Sequence, residues 1–169
     1  MTMRPIRIIG DPVLRTPSEP VTTFDAELRA LVQDLIDTTL GAPGRAAVAA
    51  PQIGVNTQVF AWHADGHTGH LVNPTLELSD ELQDDDEGCL SIPGLYFPTP
   101  RAMHATAHGH DQHGEPLTIT GSGFLARILQ HETDHLHGRL YVDTLRGDTR
   151  RRALRDIRAG RFDSPSRSR

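Results

Sequence analysis

One short run carries residues whose types and spacing suit a metal site. Within Phe124-Leu-Ala-Arg-Ile-Leu-Gln-His-Glu-Thr-Asp-His-Leu-His137-Gly138, Leu, Ala, Arg and Gln favour helix, and Gly138 is a natural stop beyond the last turn. On such a helix His131 and His135 stand four residues apart and project from one face, one turn apart. That is the spacing for two imidazoles on one divalent metal. Glu132, one step round, falls beside the metal rather than on it, where a general base for an activated water is needed. The competing reading is an exposed helix that happens to carry histidine. It survives only if the chain offers no third ligand.

A catalytic centre with two histidines needs a third donor and an open coordination position. Metalloproteases with two histidines and a glutamate base are one candidate class. The version that continues with glycine and a third histidine finds Gly138 in place but Tyr141 at the ligand position. The version that takes a downstream glutamate finds none after Glu132, which leaves Asp143 and later aspartates. The other candidate is Cys89, the single cysteine, a good soft ligand once deprotonated beside a cation. It lies in Glu87-Gly-Cys-Leu-Ser-Ile-Pro-Gly94, a stretch suited to a bend where a thiolate faces a metal.

The elements that must position these residues can be read in outline. From Asp25, a plausible N-cap, Leu28, Leu31, Val32, Leu35, Ile36 and Leu40 recur at helical spacing until Gly41-Ala-Pro-Gly44. The small residues of Arg45–Val55 allow close backbone approach, and Gln52 offers an amide there. Val59–Trp62 and His70–Pro74 read as strands around a His63–Gly69 loop, and Arg101–His108 and Pro116–Thr120 as strands joined by Gly109–Gly114. The metal helix should begin at about Ser122. Asp148 is placed to cap a last helix running to Ala159, with Leu154 and Ile157 as its main apolar contacts, and Arg161–Arg169 is expected to be disordered. This is an α+β fold of short, mostly antiparallel strands packed around a central metal-binding helix, with an N-terminal helix and a basic C-terminal helix. Residues 1–145 should form the catalytic body, and 146–169 a basic helix and tail of the same domain.

Composition narrows the function classes. A chain of 169 residues is large enough for one domain with a single core. No apolar run approaches membrane-spanning length, and the N-terminal stretch shows no secretory or transit signal. One cysteine excludes an internal disulfide and suits a reducing cytosol, so a cytoplasmic location is expected. Net charge is −5, yet residues 146–169 hold nine arginines against Asp148, Asp156 and Asp163, a local +6 beside a body of −11. A nucleic-acid contact therefore belongs to the tail, and neither membrane nor DNA is an expected partner.

Three stretches together resemble the motifs of peptide deformylases: Gln-His-Glu-Thr-Asp-His at 130–135, Glu-Gly-Cys-Leu-Ser at 87–91 and Ala-Ala-Pro-Gln at 49–52. Ile8-Ile-Gly-Asp-Pro-Val-Leu-Arg15, Leu71-Val-Asn-Pro74 and Leu136-His-Gly-Arg-Leu140 match lesser family features, so the resemblance spans about residues 6–145. It implies removal of the formyl group from the N-terminal methionine of nascent proteins, with release of formate. It implies that Cys89, His131 and His135 hold one divalent metal and that Glu132 is catalytic. Ferrous iron is the metal expected in the cell, and zinc or nickel in a purified sample. The Gln52 amide and the Leu90 backbone N–H are the expected oxyanion donors. Phe124 and Ile128, seven and three residues before His131, are candidates for the wall of the methionine pocket, with Arg127 at its rim. Glu87 and Arg101 are expected to pair and fix the cysteine loop. The basic C-terminal helix is a candidate for docking on the ribosome. One departure stands out. Where the family writes Gly-x-Gly before the Ala-Ala-Pro-Gln stretch, this chain has Arg45 and Ala47, which puts a methyl group beside the substrate backbone.

Overall fold

The computed structural model describes residues 2–162, so the tail expectation beyond residue 162 lies outside the described residues. Helix α1 spans Ala26–Leu40 and is followed by strands β1 (Ala47–Ala49), β2 (Val59–Ala64) and β3 (His67–Leu78). Four short strands come next: β4 (Leu82–Gln83), β5 (Asp86–Cys89), β6 (Ile92–Pro98) and β7 (Arg101–Ala102). Strands β8 (His104–His110) and β9 (Pro116–Ser122) precede α2 (Phe124–Leu136) and α3 (Gly147–Arg158). The fold is α+β.

A five-stranded sheet in the order β1-β2-β3-β8-β9, antiparallel throughout, separates the two long helices. Neighbouring residues on a strand point to opposite faces, and this divides the core in two. Val48, Val59, Ala61 and Val72 pack with Leu28, Val32 and Leu35 of α1. Ala49, Phe60, Leu71, Ala105 and Ala107 pack with Ala126, Leu129 and Leu136 of α2. Asp25 starts α1 by accepting from the Leu28 N–H at 3.0 Å, as its position before the apolar repeat predicts.

The two small sheets, β4 with β7 and β5 with β6, bring the cysteine segment to α2. Gln130 staples β7 to the helix. Its side chain accepts from Ala102 N–H at 2.9 Å and donates to Ala102 O at 3.0 Å, copying a strand partner.

Three local expectations are corrected. The His63–Gly69 loop is a two-residue turn, because Asp65 and Gly66 both take positive φ (51° and 76°) and close a tight hairpin whose twist matches its strands. Asp148 lies inside the first turn of α3, and the N-cap is Arg146, which makes no side-chain capping bond. Ala153 is the fully buried residue of α3, packed with Ile157 against the cluster that contains Cys89 and Tyr141, whereas Leu154 is only half-buried.

Gly138 ends α2 at φ +72°, and a Cβ there would stand 2.7 Å from the Arg15 carbonyl oxygen. Both the left-handed backbone and the close approach demand glycine. Gly138→Ala is expected to cost about 2 kcal/mol and lower the melting temperature by roughly 4–8 °C. A calorimetric scan showing a parent-like transition would mean the contact relaxes without cost.

Candidate metal centre

The helix and the β5–β6 turn bring Cys89, His131 and His135 together, with their donor atoms all within 4.8 Å of one another. His131 and His135 face each other with their Nε2 atoms 3.2 Å apart, and Cys89 Sγ stands 3.4 Å from His135 Nε2. With bonds of about 2.0–2.1 Å to nitrogen and 2.3 Å to sulfur, adjacent donors on a tetrahedral ion stand about 3.3–3.6 Å apart. The edges match. One thiolate with two imidazoles is also a donor set suited to a divalent transition metal, so a cation fits these three residues. Asp143, the alternative third ligand, is tied instead to Arg15 and to the Leu140 N–H.

Behind the ligands lies a buried polar cluster centred on Glu87. Its Oε1 receives His131 Nδ1 at 2.5 Å, which leaves His131 Nε2 with its lone pair toward the other donors. Arg101 holds both carboxylate oxygens, through Nη2 at 2.8 Å and Nε at 2.9 Å, as the expected Glu87–Arg101 pairing requires. Arg101 also donates to Asp134 at 2.7 Å, one turn from His131 on the helix. Burial pushes the Glu87 carboxyl up, but the hydrogen bonds and charges of His131 and Arg101 outweigh it and hold it at about 2. Arg127 is not at a solvent rim. It is 4 % exposed and donates to Glu87 Oε2 at 2.7 Å.

A cavity of about 370 Å³ opens in front of the cluster. Of the nine residues singled out in the sequence, Ala47, Gln52, Cys89, Leu90, Phe124, Ile128, His131 and Glu132 line it, while His135 sits behind them. Phe124 is 60 % exposed at the mouth, and Ile128 is buried deeper along the same helix. Gln52 is held by a bond from Ala49 N–H to its Oε1 at 2.9 Å, and its Nε2 points to Ser91 Oγ at 3.2 Å and Cys89 Sγ at 3.8 Å. Glu132 is buried, with Oε1 3.9 Å from His131 Nε2 and Oε2 without a partner among the described residues. Burial raises its carboxyl to about 7.

Comparison with known proteins agrees with this geometry. A sequence profile described as polypeptide deformylase matches residues 3–151. The chain belongs to the polypeptide deformylase family. It is 58 % identical over 158 residues to a peptide deformylase of Acidothermus cellulolyticus, covering 94 % of this chain and 87 % of that protein. The crystal structure of a peptide deformylase from Legionella pneumophila superposes with a TM-score of 0.85 at 39 % identity, covering 95 % of this chain and 96 % of the other. That of the Thermus thermophilus peptide deformylase gives 0.87 at 35 % identity, covering 94 % and 95 %.

Arg45, one departure from the deformylase pattern, has a local explanation. Its Nη1 donates to Thr38 O at 2.7 Å, satisfying a carbonyl in the last turn of α1 and complementing the dipole there. Sequence reasoning missed Asp134 and the inward turn of Arg127. The signal for Asp134 was its place inside the His-Glu-Thr-Asp-His run; for Arg127 the four-residue spacing to His131 marked the face, but nothing local marked the burial.

Glu87→Gln is expected to destabilise the metal-free protein by about 3–5 kcal/mol, because it leaves buried guanidinium groups with an uncharged partner. Urea unfolding of parent and variant measures this. Since the carboxyl is held at about 2 rather than 4.5, Glu87 stabilises the fold fully above pH 4.5 and loses that contribution as pH falls through about 2. The variant should lack that part of the acid limb.

Proposed function

We infer that this chain is a metal-dependent hydrolase that removes the formyl group from the N-terminal methionine of nascent proteins. The observation that carries the reading is one cavity bearing a thiolate and imidazole donor set beside a buried, unpartnered glutamate, in a chain that belongs to the polypeptide deformylase family.

Cys89, His131 and His135 would hold the metal, and the ion when bound supplies the positive charge that acidifies a water molecule and polarises the formyl carbonyl. Ferrous iron is the ion this reading assigns in the cell, whereas raw affinity of nitrogen and sulfur donors favours nickel or zinc. Glu132, whose Oε2 has no hydrogen-bond partner among the described residues, receives the proton of the attacking water and returns it to the leaving amine, so that the formyl C–N bond breaks and formate departs. A carboxyl that burial has raised to about 7 needs little free energy to take and give back a proton near neutrality, and a neighbouring cation draws it lower. Gln52 donates an amide N–H, and Leu90 its backbone N–H, to the oxygen on which negative charge develops. Gln52 suits this because Ala49 fixes its carbonyl end and leaves the NH₂ group toward Cys89. Phe124 and Ile128 would wall the methionine side chain, and Ala47 would lie beside the substrate backbone.

Formate release from formyl-Met-Ala, with metal analysis of the same sample, tests the reading. Glu132→Gln should retain its metal and lose at least ~10²-fold in kcat, the usual contribution of a general base. A variant that turns over like the parent assigns the proton transfer elsewhere.

The partner beyond the nascent chain is read as the ribosome, and the place of action as the cytoplasm. No helix among the described residues is long and apolar enough to cross a membrane. On α3, Arg151 pairs with Asp148 and Arg155 with Asp156, while Arg150 bonds the Val142 and Asp143 carbonyls. Arg152 and Arg158 are exposed and suit phosphate contacts. Because Ala153 is part of the core, charge reversal is a cleaner probe than removing the helix. Arg152→Glu/Arg158→Glu should weaken co-sedimentation with ribosomes, with a shallower salt dependence, and leave formyl-Met-Ala turnover intact. Equal pelleting of parent and variant across the salt series would sink the docking proposal.

A further inference from the structure

Among the described residues Arg127 is the one guanidinium that lines the cavity, and the mechanism gives it no task. Its burial is costly unless its N–H groups find acceptors, and three contacts supply them. Nη1 donates to Glu87 Oε2 and to Thr99 O, each at 2.7 Å, and Nη2 reaches Gln83 Oε1 at 3.5 Å. The side chain thereby joins α2 to β4, to β5 and to the segment between β6 and β7.

Its relation to His131 is closer than this list suggests. Arg127 and His131 stand four residues apart on α2, so they project from one face one turn apart. Both grip the same carboxylate, His131 on Oε1 at 2.5 Å and Arg127 on Oε2 at 2.7 Å. Helix, imidazole, carboxylate and guanidinium form a closed ring anchored twice on α2. Arg101 adds a bond to each oxygen, at 2.8 and 2.9 Å, so the four acceptor positions of Glu87 are all used. Without Arg127, Oε1 would keep two donors and Oε2 one. The carboxylate would then be drawn toward Arg101 and free to swing away from α2.

We propose that Arg127 is a positioning residue for His131: by clasping Glu87 Oε2 from the same helix face, it fixes the carboxylate that orients the imidazole. The proposal rests on the reading of His131 as a metal ligand. A mere packing role would cost stability alone. A positioning role also loosens the metal and lowers kcat without weakening substrate binding.

The test uses Arg127→Met, which keeps the stem without the donors, and Arg127→Lys, which keeps one cationic donor group but cannot span Glu87, Thr99 and Gln83 together. Each protein is loaded with nickel, and loss of nickel to a chromogenic chelator is timed beside kcat, KM and the melting temperature. Outer partners of metal ligands typically contribute 10–100-fold to affinity. Nickel release from Arg127→Met is expected to be about tenfold faster, with kcat falling several-fold and KM within twofold, and Arg127→Lys should lie between it and the parent. Parent-like nickel release and kcat in a folded Arg127→Met, whatever its melting temperature, overturn the proposal. Should Arg127→Met not fold, Arg127→Lys decides: release faster than the parent supports the clasp, and release at the parental rate removes it. A parent that neither retains nickel nor releases formate refutes the functional reading itself, a separate outcome.

Discussion

The Glu87 carboxylate, with four donors around two oxygens, is the interaction on which the site depends. His131 and Arg101 share one oxygen, and Arg101 and Arg127 share the other. Arg101 carries the link on to Asp134. The two guanidinium charges are thereby balanced by two carboxylates, Glu87 and Asp134, in a region nearly closed to water. Such a cluster is worth little as net stability, because desolvation offsets most of the attraction. Its use is geometric. A saturated carboxylate has few other places to go, so β5, β7 and α2 must meet in one arrangement, and Cys89 at the end of β5 arrives opposite His131 and His135.

The rest of the fold supplies rigidity around that meeting point. α2 is held on its apolar side by Ala126, Leu129 and Leu136 against the sheet, and on its polar side by Gln130 bonding Ala102. Gln52 reaches the site from the opposite edge, fixed by the Ala49 N–H, so the amide that faces Cys89 belongs to a segment tied to β1. The placement of three functional groups on a helix, a hairpin turn and a strand-edge turn needs long-range packing to agree at each one. Ala47 fits the same logic. Its methyl joins Ala64 and Ile128 in a small apolar cluster, which makes the departure from glycine part of the cavity wall.

The parts legible in the sequence were those set by short-range periodicity or by chemistry rare enough to stand out. The helical repeat after Asp25 and the four-residue spacing of His131 and His135 are local, and both appear as helices; the exception is Leu40, which is 47 % exposed while Thr38 and Thr39 are buried in its last turn. Cys89 stood out as a single soft donor, though only the family resemblance joined it to a helix some forty residues away. The unread parts depend on partners distant in the chain. The helix wheel puts Arg127 on the face of His131, but its charge suggested the pocket rim, and only Glu87 and the Thr99 carbonyl beneath it turn it inward. Ala153 outranks Leu154 because it is the residue of α3 that faces the cluster containing Tyr141 and Cys89, a contact that depends on partners distant in the chain. The Asp65-Gly66 turn is a different case. Its signal was present and local, and the strands simply run further than their apolar residues indicate.

Two carboxylates in the same buried region are shifted in opposite directions, and the difference lies in their donors. Glu87 has four, and is held ionised at about 2 despite burial. Glu132 has a carboxylate oxygen with no partner, and burial carries it to about 7. A carboxylate locked in hydrogen bonds can orient a neighbour but has no lone pair to offer a proton, whereas an underbonded one can exchange a proton at small cost. The division of labour thus follows from side-chain directions on a single helix. His131 and Arg127 turn toward Glu87 and, with Arg101, saturate it, whereas Glu132, one residue past His131, lines the cavity with one oxygen unpartnered among the described residues.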